Sequence, residues 1–163
     1  MNAKRLKEAF VFRTPVKVES NDKTCRVKLG YVKEVIYTIT KSGKKAAWGK
    51  VKSWVPSSSA VTVNCRNIHF INDKPMHKLA DANADEHTQR IKNAFLNVEP
   101  VVVAVPNTGV VNGHIQAVVY WRTAKGNIQC SADVLDASCP GCTVRSRLKY
   151  IFTREEYDKR KGC

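Results

Sequence analysis

Val35-Ile-Tyr-Thr-Ile-Thr-Lys-Ser-Gly-Lys-Lys-Ala-Ala-Trp-Gly-Lys-Val-Lys-Ser-Trp54 is the stretch that decides the fold class. Val35, Tyr37 and Ile39 recur with period two, Lys41-Ser-Gly-Lys44 has the composition of a hairpin turn, and Trp48 to Val55 runs back antiparallel to the strand before it. In that pairing Lys50 and Lys52 share one face. The same stretch carries chemistry. Lys44, Lys45, Lys50 and Lys52 alternate with two indoles, Trp48 and Trp54. Lysine neutralises phosphate and releases condensed counterions, while indole offers a stacking face to any unpaired base. The plainer alternative is that the indoles pack in or beside a core and the lysine stems cover them.

The segment before this hairpin also alternates. Cys25, Val27, Leu29 and Tyr31 read as a core-facing row and Arg26, Lys28 and Gly30 as a wet, basic row. A phase break between Gly30 and Glu34 predicts a bulge or bend. Still earlier, Ala3 to Phe10 has the charge pattern of one or two helical turns, and Phe10 to Val18, interrupted by Pro15, suits an edge strand. Beyond the hairpin, Pro56 to Ser59 is a loop, and Val61 to Cys65 and Ile68 to Ile71 resume the strand pattern.

Residues 83 to 98 predict a helix. Asn83 stands as a cap with Glu86 three residues on, Asp85 and Glu86 sit where the helix dipole favours anions, and Ile91, Ala94, Phe95 and Val98 form one stripe ended by Pro100. Val101 to Val105 is an apolar run buried on both faces. Val110 to Arg122 predicts a long strand, Thr123 to Asn127 a hairpin loop and Ile128 to Val134 its return. The last strand sets Thr143, Arg145, Arg147 and Lys149 opposite Val144, Ser146, Leu148, Tyr150 and Phe152, and a charged tail, 153–163, follows. No internal repeat is evident. The expected fold is mainly β: a single domain over 1–163, an antiparallel sandwich or barrel with one covering helix.

The 163 residues hold 28 Lys and Arg against 14 Asp and Glu, a formal net charge of +14. Residues 1–54 contribute 14 cations and 4 anions, 55–142 contribute 7 and 7, and 143–163 contribute 7 and 3, so the ends carry the excess. Such a balance points to an anionic partner. Basic residues repeat on three predicted strands: Arg26 and Lys28, Lys50 and Lys52, and Arg145, Arg147 and Lys149. Like charges facing one another weaken a sheet, so a single-sign face implies a ligand that neutralises it. The nucleic-acid-binding candidates are these seven residues with Lys44, Lys45, Trp48 and Trp54.

Six cysteines stand at 25, 65, 130, 139, 142 and 163. Met1 to Glu8 lacks the apolar region of a secretory signal and no run is long enough to span a bilayer, so the thiols are expected reduced and the location cytoplasmic. Cys130, Cys139 and Cys142 are weak zinc candidates, three ligands where a tetrahedral site needs four; a Pro-Gly turn between packed cysteines is the better reading, and no cofactor is expected. His69, His77, His87 and His114, with Asp81, Asp85 and Glu86, lack the spacing of a known hydrolytic motif. The reading is a non-catalytic nucleic-acid-binding protein that favours single strands. Its alternatives are a self-associating structural protein of viral type, a small β-sandwich coat or movement protein that packages or escorts a genome, and a metal-dependent nuclease. Salt-dependent binding, particle formation and degradation of RNA or DNA with added metal tell the three apart.

Overall fold

The computed structural model describes residues 1–20, 27–40, 42–72 and 85–162. In chain order its elements are helix α1 (Ala3–Val11), strands β1 (Val16–Val18), β2 (Leu29–Ile39), β3 (Lys45–Lys52), β4 (Val61–Asn64) and β5 (Ile68–Phe70), helix α2 (Glu86–Asn97), strands β6 (Pro100–Ala104), β7 (Val110–Arg122), β8 (Ile128–Asp136), β9 (Thr143–Arg147) and β10 (Ile151–Thr153), and helix α3 (Arg154–Lys161). The chain is mainly β with antiparallel pairing, and the strand path does not close into a barrel. Three helices are present among the described residues, where the sequence predicts one covering helix and two short charged segments.

The chain divides into two compact units. The first comprises Met1–Tyr37, Ala46–Ala82 and Tyr120–Gln129, the second Thr38–Lys45, Asn83–Val119 and Cys130–Cys163. In the first, the strand order is β4-β3-β2-β1-β5; in the second it is β9-β8-β7-β6-β10. The registers correspond residue for residue. Val16 pairs with Gly30 and Phe70, as Val101 pairs with Gly113 and Thr153; Trp48 pairs with Asn64, as Ser131 pairs with Arg147. Both hairpins turn through a left-handed glycine, Gly43 (φ 76°) and Gly126 (φ 84°). Both leading helices end on a left-handed residue, Arg13 (φ 51°) and Val98 (φ 56°), and the next amide bonds back to Ala9 at 3.0 Å and to Ala94 at 2.9 Å. The two halves of the chain therefore build one topology twice. The expectation of no repeat is corrected. The shared positions that survive, such as Ala9-Phe10 with Ala94-Phe95, Pro15 with Pro100 and Gly30 with Gly113, are few and separated by segments of unequal length.

Each five-stranded sheet is curled. Strands β4 and β5 lie at opposite edges, yet only the 3-10 turn Cys65–Asn67 joins them. The four steps from Asn64 to Ile68 span at most about 14 Å, whereas the edges of a flat five-stranded sheet are about 19 Å apart. The same argument applies to β9, the turn Leu148–Tyr150 and β10. This corrects the single final strand of the sequence reading: Lys149 lies in the turn, off the strand face.

Curling gives each sheet a concave face that a helix fills. In the first unit Leu6, Ala9 and Phe10 of α1 bury against Val16, Val32, Val51, Ile68 and Phe70. Gly49 of β3 is where the helix rests, because a Cβ there would crowd the side chains of Ile68 and Leu6. Arg122, from the hairpin counted in this unit, donates to the Val11 carbonyl at the end of α1 and lies over the Phe10 ring. A cation there satisfies end carbonyls and complements the helix dipole. In the second unit Ile91, Ala94 and Phe95 take the positions of Leu6, Ala9 and Phe10 and are likewise buried. The cap of α2 is Asp85, whose carboxylate accepts from Thr88 N at 2.8 Å; the predicted cap Asn83 lies outside the described residues.

This packing has consequences for stability. A Cβ at Gly30 would run into the backbone carbonyl of Lys52, and one at Gly113 into that of Leu135. Backbone cannot swing aside as a side chain can, so Gly30→Ala and Gly113→Ala should each cost about 1–3 kcal/mol, read as a lower urea midpoint at unchanged slope. In the second unit Glu156 accepts from Thr153 N, from Arg90 at 2.7 Å and from His87 at 3.3 Å. Burial pushes its carboxyl pKa up, but these hydrogen bonds outweigh burial and hold it below the usual carboxylate value. A lowered folded pKa contributes stability above the unfolded value and loses it as pH falls through the folded one. Glu156→Gln should therefore lose about 1–3 kcal/mol at neutral pH, and the gap from wild type should narrow in urea titrations taken at progressively more acidic pH.

Candidate nucleic-acid interface

Strand β3 alternates cleanly: Ala47, Gly49 and Val51 are buried under α1, and Trp48, Lys50 and Lys52 lie half-buried on the opposite face. The predicted sharing of a face by Lys50 and Lys52 is what the strand displays. Lys50 is drawn to Glu34 at 3.4 Å, whereas Lys52 makes no ion pair with a described residue.

Just past β3 the chain turns at Trp54, which is 55% exposed. Its ring is tilted by 39° over that of Tyr31, with 4.7 Å between centroids. The Arg13 guanidinium lies over Tyr31 at 4.9 Å from the ring centroid. Three planar groups from the end of α1, the start of β2 and the end of β3 thus meet on one side of the first unit. Gly30 makes this possible: without a side chain it lets β2 approach the Lys52 carbonyl, which sets Tyr31 beside Trp54.

The sequence places Tyr31 and Leu29 in the core, and here the structure corrects it. Leu29 is 55% exposed, Gly30 and Val32 are buried, and Tyr31 is half-buried on the other face. The apolar row on β2 shifts again before Val35, which fits the predicted phase break. Lys28 is exposed just before the strand begins and makes no ion pair with a described residue; Arg26 lies outside the described residues. Arg13 carried no signal, because it follows a helix end and belongs to no alternating row.

The remaining candidates belong to the second unit. Lys44 and Lys45 are exposed at the hairpin turn, where Thr40 Oγ1 accepts from Lys44 N at 3.1 Å. Arg145 and Arg147 project from β9 on its exposed face. Arg145, however, sits directly opposite Asp133 and forks onto both carboxylate oxygens at 2.7 and 2.9 Å, so that face is not of a single sign. Lys149 lies over the neighbouring Tyr150 ring at 4.7 Å.

The other chemistry in the sequence resolves into structure. Cys139 and Cys142 are joined as a disulfide, which replaces the expectation of free thiols at that pair; the turn through Gly141 brings their Cα atoms to 5.4 Å, within bonding reach. Cys130 is half-buried and forms no disulfide with a described residue. Among the described residues no group of three or more His, Cys, Asp or Glu is placed to hold a metal ion. His87 uses both ring nitrogens, on Glu156 and on the Leu148 carbonyl, to tie α2 to the chain around α3. His69 faces Glu19 at 3.4 Å. No helix among the described residues is long and apolar enough to cross a membrane.

Correspondence between the halves adds a control that lies within the molecule. The positions of Arg13, Tyr31, Trp48, Lys50, Lys52 and Trp54 are held in the second half by Val98, His114, Ser131, Asp133, Leu135 and Ala137. The second half reaches the same strand order and register with none of those cations and none of those aromatic rings. Comparison with known proteins matches this chain to no family model, no curated protein and no solved structure.

Proposed function

We propose that this chain binds nucleic acid without catalysing a reaction, and that it prefers single strands. One observation carries the reading: the first half places an exposed indole, a phenol ring and a guanidinium against one another at positions where the second half folds without any of them. Side chains that a topology does not need for folding, and that leave a large aromatic ring in water, are candidates for recognition. Flat rings take unpaired bases and reject the closed stack of a duplex. Lys28 and Lys52 stand close in sequence to the two rings, without acidic partners among the described residues, and supply the cations that track a phosphodiester backbone. Arg13 serves both purposes, as a stacking plane and as a charge.

Filter binding or fluorescence anisotropy tests this with single- and double-stranded RNA and DNA across a salt series. The expected result is tighter binding of single strands and a steep, linear fall of log affinity with log salt. A flat salt response, or equal affinity for blunt duplex and single strand, removes the proposal.

A further inference from the structure

In the second unit, the place that corresponds to the Arg13, Tyr31 and Trp54 cluster is open. The smaller Val98, His114 and Ala137 leave a cleft of about 330 Å³, lined also by Pro100, Asn112 and Arg154. Its floor is apolar, and its polar groups converge from two elements: the Asn112 amide and the His114 ring from β7, and the Arg154 guanidinium from the first turn of α3. Arg154 Nη1 donates to Asn112 Oδ1 at 3.1 Å, and Arg154 Nε faces Asp158 at 3.3 Å, between side chains that are both more than half exposed. The remaining guanidinium N–H groups and the Asn112 NH2 group make no side-chain hydrogen bond to a described residue and serve as donors. A volume at the low end of small-molecule sites suits a single nucleotide and little more.

We infer that this cleft holds one nucleotide of a bound strand, the base against Val98, Pro100 and Ala137 and its phosphate on Arg154. The inference rests on the nucleic-acid reading above. It gives each half of the chain its own hold on the ligand: a stacking platform where aromatic rings fill the position, a receiving cleft where small residues empty it. Asn112 and His114 supply the directional hydrogen bonds that a planar, heteroatom-rich ring needs and that an aliphatic guest would leave unmet.

The test is NMR titration of the full 15N-labelled chain with adenosine and uridine monophosphates, with inorganic phosphate, and with a short oligouridylate. Nucleotide and oligonucleotide should shift the amides of Asn112, His114 and Ala137, and inorganic phosphate should not reproduce the pattern. Ala137→Trp, which puts into the cleft the side chain that the first half carries at that position, should abolish those shifts. Arg154→Gln should weaken the nucleotide about tenfold or more, the usual effect of losing a charged hydrogen bond, with the spectrum otherwise folded in both variants. Unmoved cleft amides, shifts that survive in Ala137→Trp, or an identical pattern from phosphate alone would each overturn the inference. If oligouridylate still perturbs the Trp54 indole while the cleft stays silent, the inference fails and the nucleic-acid reading stands. If oligouridylate perturbs neither site, that reading fails, and the inference that rests on it fails with it.

Discussion

Replacing both rings of the platform, Tyr31→Ala with Trp54→Ala, is expected to lower affinity for a single-stranded oligonucleotide by roughly 10- to 100-fold. Alanine substitution of a base-stacking ring costs about 1–3 kcal/mol, and every 1.4 kcal/mol is about tenfold in affinity. The two rings are 4.7 Å apart and present one surface, so their losses overlap and the pair acts as a single platform. Duplex affinity should change by less than about twofold, because a closed stack offers no base face to the rings. The dependence on salt should stay parallel to wild type, since no charge is removed. Stability should survive better than for an ordinary aromatic pair: Trp54 is 55% exposed, and the second half holds the same register with His114 and Ala137. Equilibrium titration at two salt concentrations, alongside a urea melt, separates these effects. An unchanged single-strand affinity in a folded double variant would show that the rings do not meet bases.

Part of this site is legible in the sequence because charge and periodicity report exposure well. Trp54 and Lys52 stand out from their neighbours by type, and the strand Val110–Arg122 can be bounded from its apolar run and the flanking Gly109 and Thr123-Ala-Lys-Gly-Asn127 turns. What resists reading is long-range. Arg13 reaches Tyr31 only because a left-handed residue ends α1 and turns the chain toward β1, a geometry that glycine usually advertises and arginine does not. Tyr31 reads as a core residue because Gly30 has no side chain to reveal which face is inside; the burial of Gly30 comes from the approach of the Lys52 carbonyl, a backbone contact without sequence periodicity. The duplicated topology is hidden for a similar reason. Curled sheets of this kind are specified by where glycines and turns fall, and small and branched apolar residues exchange in the core around them, as Leu6 with Ile91 and Gly49 with Ala132 do here.

Charge supplies the second large effect, and the structure ranks the cations. Lys28 and Lys52 make no ion pair with described residues, Lys50 shares Glu34, and Arg145 is committed to Asp133 through two hydrogen bonds. A cation already neutralised by a carboxylate has few condensed counterions to release from the nucleic acid, so it adds little to the salt slope until its own pair is broken. Lys28→Gln with Lys52→Gln should therefore reduce the magnitude of the single-strand slope by about 1.4, at roughly 0.7 for each phosphate left without its lysine. Extrapolated from a common value at about 1 M salt, that is a weakening of about 60-fold at roughly 50 mM and about tenfold at roughly 200 mM, with the two curves converging as salt rises. Arg145→Gln, which removes the same formal charge as one of these lysines, should leave the slope near wild type, while Lys50→Gln falls between. Affinities measured across a salt series for all three variants give the slopes directly. If Arg145→Gln proves as damaging as the lysine pair, the strand is drawn to net charge and not to the face around Tyr31 and Trp54, and the platform would lose its electrostatic half.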